Sequence, residues 1–231
     1  MAVQPGGGAF AQLLLEWLYG RHRYGPVLVL VATSIVFALA APEAGWSRAV
    51  LALLQGLTLL LALLASDLPA PLLRPLTALA SATALAAAVA AVLGGDVGVG
   101  IARILSGILV VSAPVAIAQG VFRRIRAERR VTVHLVLGVL AIYLLIGVTF
   151  AFADGAVDRL GARDFLRGQP DASVADFLYF SFATLTTTGY GDLVPGNNLA
   201  RSFAILEALT GQIYLVTVVA VLVGNLARRE G

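Results

Sequence analysis

Long apolar runs alternate with short polar, glycine-containing or proline-containing connections along the whole chain. We read six of these runs as membrane-spanning helices. They cover residues 26–41, 49–66, 76–93, about 101–122, 131–153 and about 199–226. The pattern therefore predicts an all-α polytopic membrane protein with six transmembrane helices. Large side chains are scarce in the alanine-rich third run, which suits close packing against other helices.

Two shorter segments mix apolar and polar positions. Residues 1–24 contain an amphipathic stretch followed by arginines, which predicts a cytoplasmic segment with a helix on the membrane surface. Ser173 and Asp176 have the spacing of a capping box, so we expect a short helix over residues 174–187. The polar connection 154–172 precedes this helix and carries no net positive charge.

The composition excludes a soluble globular protein, since 59% of the residues are hydrophobic, 13% are charged and the mean hydropathy is +0.92. All basic residues are arginines, and we attribute the net charge of +3 to cytoplasmic helix ends rather than to nucleic-acid binding. The positive-inside rule places the basic linker 123–130 in the cytoplasm, and six spans then place both termini there. The linker contains Arg123, Arg124, Arg126, Arg129 and Arg130. Without cysteine, the chain has no disulfides and no thiolate metal sites.

Residues 184–192 read Thr-Leu-Thr-Thr-Thr-Gly-Tyr-Gly-Asp and lie between the last two apolar runs. This string resembles the signature of potassium channels. The resemblance covers about the last hundred residues and implies a pore domain at 131–231, preceded by a four-helix membrane domain at 25–122. Its parts are an outer helix at 131–153, a re-entrant pore helix at 174–187, a filter at 187–191 and an inner helix at 199–226. One loop supplies one wall of a filter, so the resemblance implies a homotetrameric pore.

The resemblance also assigns roles within the filter. The carbonyls of Thr187, Thr188, Gly189 and Tyr190, with the Thr187 hydroxyl, would replace the hydration shell of a K⁺ ion. Gly189 and Gly191 take the backbone angles that ordinary residues resist. Tyr190 would point outward and hold the ring at its diameter. Thr188 stands where valine is usual and adds a hydroxyl beside the filter.

Further residues are candidates for supporting the filter. Tyr179 could donate a hydrogen bond to Asp192 and brace the filter mouth. Ala183 stands where some relatives carry a glutamate behind the filter, so that brace is missing.

Glu207 is the one carboxylate in an otherwise apolar stretch of the inner helix, which makes it a functional candidate. It would face either the cavity or the back of the pore helix, where it could bond Thr184 or Ser181. The missing acid at Ala183 favours the second geometry and a role for Glu207 protonation in filter support. Gly211 lies where the family carries an inner-helix hinge, but a small residue there could equally serve packing against the pore helix.

The fourth run does not have the pattern of a voltage sensor. Such a sensor needs arginines at every third position inside an apolar helix, whereas only Arg103 lies within this run. The linker arginines lie beyond it, and we expect them to contact anionic membrane lipids instead.

These features predict a potassium-selective channel of the plasma membrane that conducts K⁺ passively, without the usual voltage sensing. Two alternatives remain: a pore-like subunit of a potassium transporter, or a non-conducting membrane regulatory protein. The chain contains no enzyme motif, so we expect no catalysis and no cofactor besides K⁺ as the permeant ion. The expected partners are K⁺, membrane lipids and further copies of the chain, with no nucleic acid.

Overall fold

The computed structural model describes residues 24–66, 68–93, 95–127, 133–161 and 164–227. Within these ranges the chain forms seven α-helices and, apart from one isolated bridge between Leu166 and Pro195, no β-structure. The helices are α1 (Gly25–Ala40), α2 (Gly45–Ala65), α3 (Ala70–Leu93), α4 (Gly95–Ala127), α5 (Val133–Leu160), α6 (Val174–Leu185) and α7 (Asn198–Ala227). The predicted all-α fold is confirmed.

Five of these helices, α2, α3, α4, α5 and α7, are long and apolar enough to cross a membrane. Helix α1 has 16 residues. At about 1.5 Å per residue its length is about 24 Å, which is less than the ~30 Å hydrocarbon core of a bilayer. The prediction of a polytopic membrane protein is therefore confirmed, whereas the sixth span stays a prediction.

The first four helices form a bundle that is joined to the rest of the chain along α5. Helix α2 packs against α1, α3 and α4, and both α1 and α4 also pack against α5. A Cβ atom added at Gly56 of α2 would lie 2.2 Å from the Cβ of Ala84 on α3, so these two helices approach very closely. All the buried residues reported for α3 are alanines, namely Ala80, Ala84, Ala87, Ala88 and Ala91. The alanine-rich helix thus packs closely, as predicted.

The short helix α6 lies against both α5 and α7, and α1 also reaches it. Phe165, in the loop before α6, is fully buried. Its ring meets Phe177 and Phe180 of α6 edge-on, at centroid distances of 6.1 Å in both cases. It also meets Phe203 of α7 at 6.4 Å. This aromatic cluster fixes the start of α7 relative to α6.

Two helices of the bundle are longer than the sequence predicts. Helix α3 begins at Ala70 instead of residue 76, so it includes Pro71 and Pro75, which precede the predicted third run. Proline is compatible with the first helical turn because the N–H there has no intrahelical partner, while Pro75 removes one backbone bond further in. Helix α4 continues to Ala127, so the first part of the linker 123–130 is helical rather than a separate connection.

The pore unit differs from its predicted bounds in a similar way. Helix α5 extends to Leu160 instead of residue 153, so Asp154 is helical and 1% exposed rather than part of a polar connection. Helix α6 ends at Leu185, two residues before its predicted end at 187. Helix α7 agrees with its predicted bounds to within one residue at each end. Asp154 does not end α5, because the helix continues past the apolar run and this aspartate faces the protein interior.

Some predictions concern residues outside the described ranges. They are the surface helix expected within residues 1–24, of which only Tyr24 is described, and the linker residues Arg129 and Arg130.

Candidate ion pathway at the filter loop

The pore helix α6 begins at the capping box that the sequence predicts. Ser173 Oγ accepts a hydrogen bond from Asp176 N at 3.1 Å, and Asp176 Oδ2 accepts one from Ser173 N at 2.8 Å. Glu43, in the loop between α1 and α2, accepts a further bond from Val174 N at 3.3 Å. Carboxylates near a helix N-terminus interact favourably with its positive dipole end. The four-helix bundle therefore contributes directly to holding the pore helix.

At its other end, α6 passes through a turn into the filter loop. Thr187 N donates to Thr184 O at 3.0 Å. The Ala183 carbonyl accepts from both Thr188 N at 2.8 Å and Gly189 N at 3.1 Å. These bonds keep the first filter residues at the C-terminal end of α6, where the helix dipole is negative and favours a cation.

The sign of the backbone angle φ alternates between successive residues of the filter loop. Thr187, Gly189 and Gly191 have φ values of +58°, +56° and +82°, while Thr188 and Tyr190 are not among the residues with positive φ. The carbonyls of an ordinary strand point to alternate sides. A left-handed conformation, with positive φ, at every second residue can turn them all to one side. A row of carbonyl ligands for a cation requires that arrangement. Sequence reasoning anticipated the two glycines but not Thr187, whose Cβ makes the left-handed conformation costly.

The filter loop is uncovered in a single chain. Every residue from Thr186 to Asp192 is exposed. A Cβ atom added at Gly189 or Gly191 would meet no other atom within 4 Å. Tyr190 is 71% exposed, and its ring stacks on that of Tyr179 at a centroid distance of 6.0 Å and an interplanar angle of 9°. Apart from Tyr179, the described residues of a single chain do not supply the protein surroundings expected for Tyr190.

The hydrogen bond expected at the filter mouth is present. Tyr179 donates its hydroxyl proton to Asp192 Oδ2 at 2.8 Å. This bond lowers the pKa of Asp192 and raises the pKa of Tyr179, because it stabilises the carboxylate and the protonated phenol together. The arrangement ties the residue after the filter to the middle of the pore helix.

Glu207 lies at the back of the pore helix, and its side chain is fully buried. Glu207 Oε1 is hydrogen-bonded to the hydroxyl of Ser181 on α6, which was one of the two partners considered; Thr184 is not bonded to it. The same hydroxyl donates to the Gly147 carbonyl of α5 at 2.7 Å. Ser181 thus joins all three helices of the pore unit.

Asp154 is a second buried carboxylate in this region, and sequence reasoning missed it. Among the described residues neither of its oxygens has a hydrogen-bond partner, and Glu207 Oε2 is unpartnered as well. The two acids are close enough for their charges to interact. An apolar helix that continued past residue 153 would have been the only sequence signal for the burial of Asp154.

Gly211 is a point of close approach between the inner helix and the pore helix. A Cβ atom added there would lie 2.4 Å from the carbonyl oxygen of Leu185 at the end of α6. Helix α7 runs unbroken through Gly211. The structure therefore supports the packing role, and the hinge role stays a prediction. Tyr143 of α5 donates to the same Leu185 carbonyl at 3.3 Å.

Gln212 is the other site residue that sequence reasoning missed. Its side-chain nitrogen donates to Thr187 Oγ1 at 3.3 Å, so the inner helix holds the hydroxyl expected at the inner end of the filter. The sequence signal was an amide next to Gly211, in an otherwise apolar stretch of helix.

The described part of the linker is far along α4 from the pore helix. The backbone of Arg123, Arg124 and Arg126 belongs to the last turn and a half of α4. Arg103 lies twenty residues before Arg123 on the same helix, and it borders a cavity that also includes Val174 at the start of the pore helix. At about 1.5 Å per residue, this separation is about 30 Å. Residues 123–127 are therefore at the opposite end of α4 from the start of α6.

Comparison with known proteins bears on the same part of the chain. Residues 135–228 match the family model described as ion channel. The chain is 36% identical over 90 residues to two-pore potassium channel 1 of Arabidopsis thaliana, an overlap of 39% of this chain and 20% of that protein. It is also 31% identical over 87 residues to the inward rectifier potassium channel Kirbac3.1 of Paramagnetospirillum magnetotacticum. That overlap is 38% of this chain and 28% of the relative.

Over these residues the chain is similar to potassium channels, and the resemblance inferred from the filter string is confirmed for this part of the chain. Two pore potassium channel a of Oryza sativa subsp. japonica is a further relative, 37% identical over 100 residues, or 43% of this chain and 25% of that protein. The chain thus spans between 20% and 28% of the length of these relatives. No solved structure matches the chain.

Proposed function

We propose that the protein is a potassium-selective channel that conducts K⁺ passively across the plasma membrane. The observation that carries this proposal is the alternating backbone hand at Thr187, Gly189 and Gly191 in a loop held at the C-terminal end of a short helix. The carbonyls of Thr187, Thr188, Gly189 and Tyr190 are the proposed K⁺ ligands, with the Thr187 hydroxyl as the innermost oxygen. Gly191 completes the loop, and Asp192 anchors it to Tyr179.

The pore is a homotetramer in this proposal. In a single chain the whole filter loop is exposed. Helix α7 also exposes an apolar stripe at Ile205, Leu209, Ile213 and Val216, which are between 55% and 66% exposed. These residues share one helical face, since they are spaced by three or four positions. Four copies would surround one ion path with four loops and would cover part of this stripe. A mass determination of the purified protein in detergent tests the subunit number.

The topology of the proposal has six spans, with α1 as the first and both termini in the cytoplasm. The basic linker then lies at the cytoplasmic leaflet, where its arginines contact anionic lipids. In the described part of α4, the only basic residues are Arg103 and the arginines at the C-terminal end of the helix. This pattern supports a channel that lacks the usual arginine-based voltage sensor.

The decisive experiment is a flux measurement on the purified protein in liposomes. Wild type should carry K⁺ down its gradient without an energy source and should exclude Na⁺. Gly189→Ala should abolish selective flux, because the space around Gly189 is open but its positive φ opposes a side chain. A matched control is Gly25→Ala at the start of α1, where an added Cβ makes only an ordinary contact with Leu137 at 3.7 Å and φ is not positive.

The outcome separates the candidate functions. A potassium-transporter subunit would need a partner or an energy source, and a regulatory protein would carry no ions at all. Normal K⁺ preference over Na⁺ in Gly189→Ala would remove the assignment of the filter, even if wild type conducts.

A further inference from the structure

A large cavity opens between α4 and α5, next to the first turn of the pore helix α6. Its volume is about 1020 Å³. Its walls combine small residues with large apolar ones, namely Gly107, Ala151, Gly155, Ala156, Ile104, Ile108, Phe152 and Phe177. A Cβ atom added at Gly107 would meet no other atom within 4 Å, so the space beside this part of α4 is open. We call this cavity the α4–α5 groove.

The α4–α5 groove has the depth of one membrane leaflet. On α4 its lining extends over ten residues from Arg103 to Ser112, and on α5 over ten residues from Ala151 to Leu160, a rise of nine steps on each helix. At about 1.5 Å per residue this is about 13 Å. Half of a typical hydrocarbon core is about 15 Å. The groove therefore starts at one membrane surface and ends near the middle of the bilayer.

The two charged side chains of the groove are both arginines, and both lie at its open end. Arg103 is the third residue of the apolar part of α4, which begins at Ile101, and Arg159 is the last residue but one of α5. Their positions place both guanidinium groups at the level of lipid headgroups. The charge of Arg103 is close enough to interact with Arg159, Arg48 and Glu43. The local balance is three positive charges against one negative charge.

Arg103 also has hydrogen-bonding capacity left over. Its Nε is buried and has no partner among the described residues. A buried guanidinium nitrogen without an acceptor is costly, and a phosphate oxygen is a suitable acceptor for it. The remaining lining of the groove is apolar apart from Ser112, whose hydroxyl already donates to the Ile108 carbonyl at 2.6 Å. The groove thus combines an anion-binding rim with an apolar interior.

We infer that the α4–α5 groove binds one anionic phospholipid, with its phosphate on Arg103 and Arg159 and an acyl chain along Gly107 and Gly155. This site is distinct from the lipid contact proposed for the linker 123–130, which is at the opposite end of α4. Its binding is measured without ion conduction, although Val174 and Phe177 of the pore helix also line the groove. The bound lipid fills the space between α4 and α5 and offsets the like charges at the rim.

Binding can be measured on the full chain purified in detergent and stripped of lipid. Native mass spectrometry then compares added dioleoyl phosphatidylglycerol with dioleoyl phosphatidylcholine, which have identical acyl chains. Wild type should retain phosphatidylglycerol preferentially. Each guanidinium near an anionic headgroup is worth about a fivefold preference, so Arg103→Gln should reduce the preference about fivefold and Arg103→Gln with Arg159→Gln about 25-fold. Arg201→Gln is the matched control, because Arg201 is exposed on α7 outside the groove.

A second variant tests the apolar part of the groove without touching any charge. Gly107→Leu places a side chain into the open space next to Gly107 and should displace the tightly bound lipid. Ala86→Leu, at an exposed position of α3, adds the same side chain outside the groove and should leave binding unchanged. Glycerol phosphate, a headgroup without acyl chains, should not compete with phosphatidylglycerol.

Three results would overturn the inference. The first is equal retention of the two lipids by wild type, as expected if a neighbouring subunit covers the groove. The second is a preference for phosphatidylglycerol that persists in the double arginine variant and in Gly107→Leu. Such a result would mean that the linker 123–130, and not the groove, causes the preference. The third is full competition by glycerol phosphate, which would indicate a site for a soluble anion.

Discussion

The contact between Glu207 and Ser181 leads to a prediction about a single proton. Ser181 has one hydroxyl proton, and the Gly147 carbonyl at 2.7 Å can only accept it. The contact between Ser181 Oγ and Glu207 Oε1 is then a hydrogen bond only if the glutamate carries a proton and donates it. We expect Glu207 to be a protonated acid in the conducting state.

Glu207→Gln and Glu207→Leu separate this arrangement from a charged brace. The glutamine amide can donate to Ser181 Oγ in place of the acid, so selective flux should be kept. Leucine removes the donor, which should cost about 1 kcal/mol. This corresponds to about a fivefold change in the equilibrium between filters with and without this support. If Glu207 were ionised, its bond to Ser181 would be worth about 1.5–3 kcal/mol, and glutamine would lose most of that.

The assay is K⁺ flux into liposomes over a pH series, at fixed potassium concentration and voltage. Wild type should lose flux as rising pH removes the Glu207 proton, because the donor to Ser181 disappears. Glu207→Gln should show no such loss. Ser181→Ala with Glu207→Leu completes a double-mutant cycle for the pair. Identical pH responses of wild type and Glu207→Gln would refute the reasoning.

Three further perturbations follow from the structure. Tyr179→Phe removes the bond that holds the pKa of Asp192 below its ordinary value. The loss of K⁺ flux on acidification should therefore begin at higher pH than in wild type. Identical curves of flux against pH for the two proteins in the acidic range would contradict this. Gly211→Ala brings a Cβ within 2.4 Å of the Leu185 carbonyl and should destabilise the pore unit by about 1–3 kcal/mol in thermal unfolding, whereas unchanged stability would favour the hinge role. Arg123→Gln with Arg124→Gln should reduce the dependence of flux on anionic lipid, each arginine contributing about 1 kcal/mol, and equal flux of wild type in neutral and anionic liposomes would dismiss this contact.

The amino-acid sequence alone determined the features that depend on local pattern. Apolar runs located five helices that are long enough to cross a membrane, because hydropathy over about twenty residues is a property of the segment itself. The start of the pore helix followed from the three-residue spacing of Ser173 and Asp176. The backbone hand of Gly189 and Gly191 followed from residue type.

Only the tertiary structure decided which distant residues meet. Glu207 and Ser181 are 26 positions apart, and Gln212 and Thr187 are 25 apart. Such contacts depend on the rotation and separation of packed helices, which no local pattern encodes. Asp154 is buried because α5 continues past the expected end of its apolar run and places this residue close to Glu207. The left-handed conformation of Thr187 likewise arises from the turn beneath α6, since the intrinsic preference of threonine opposes it.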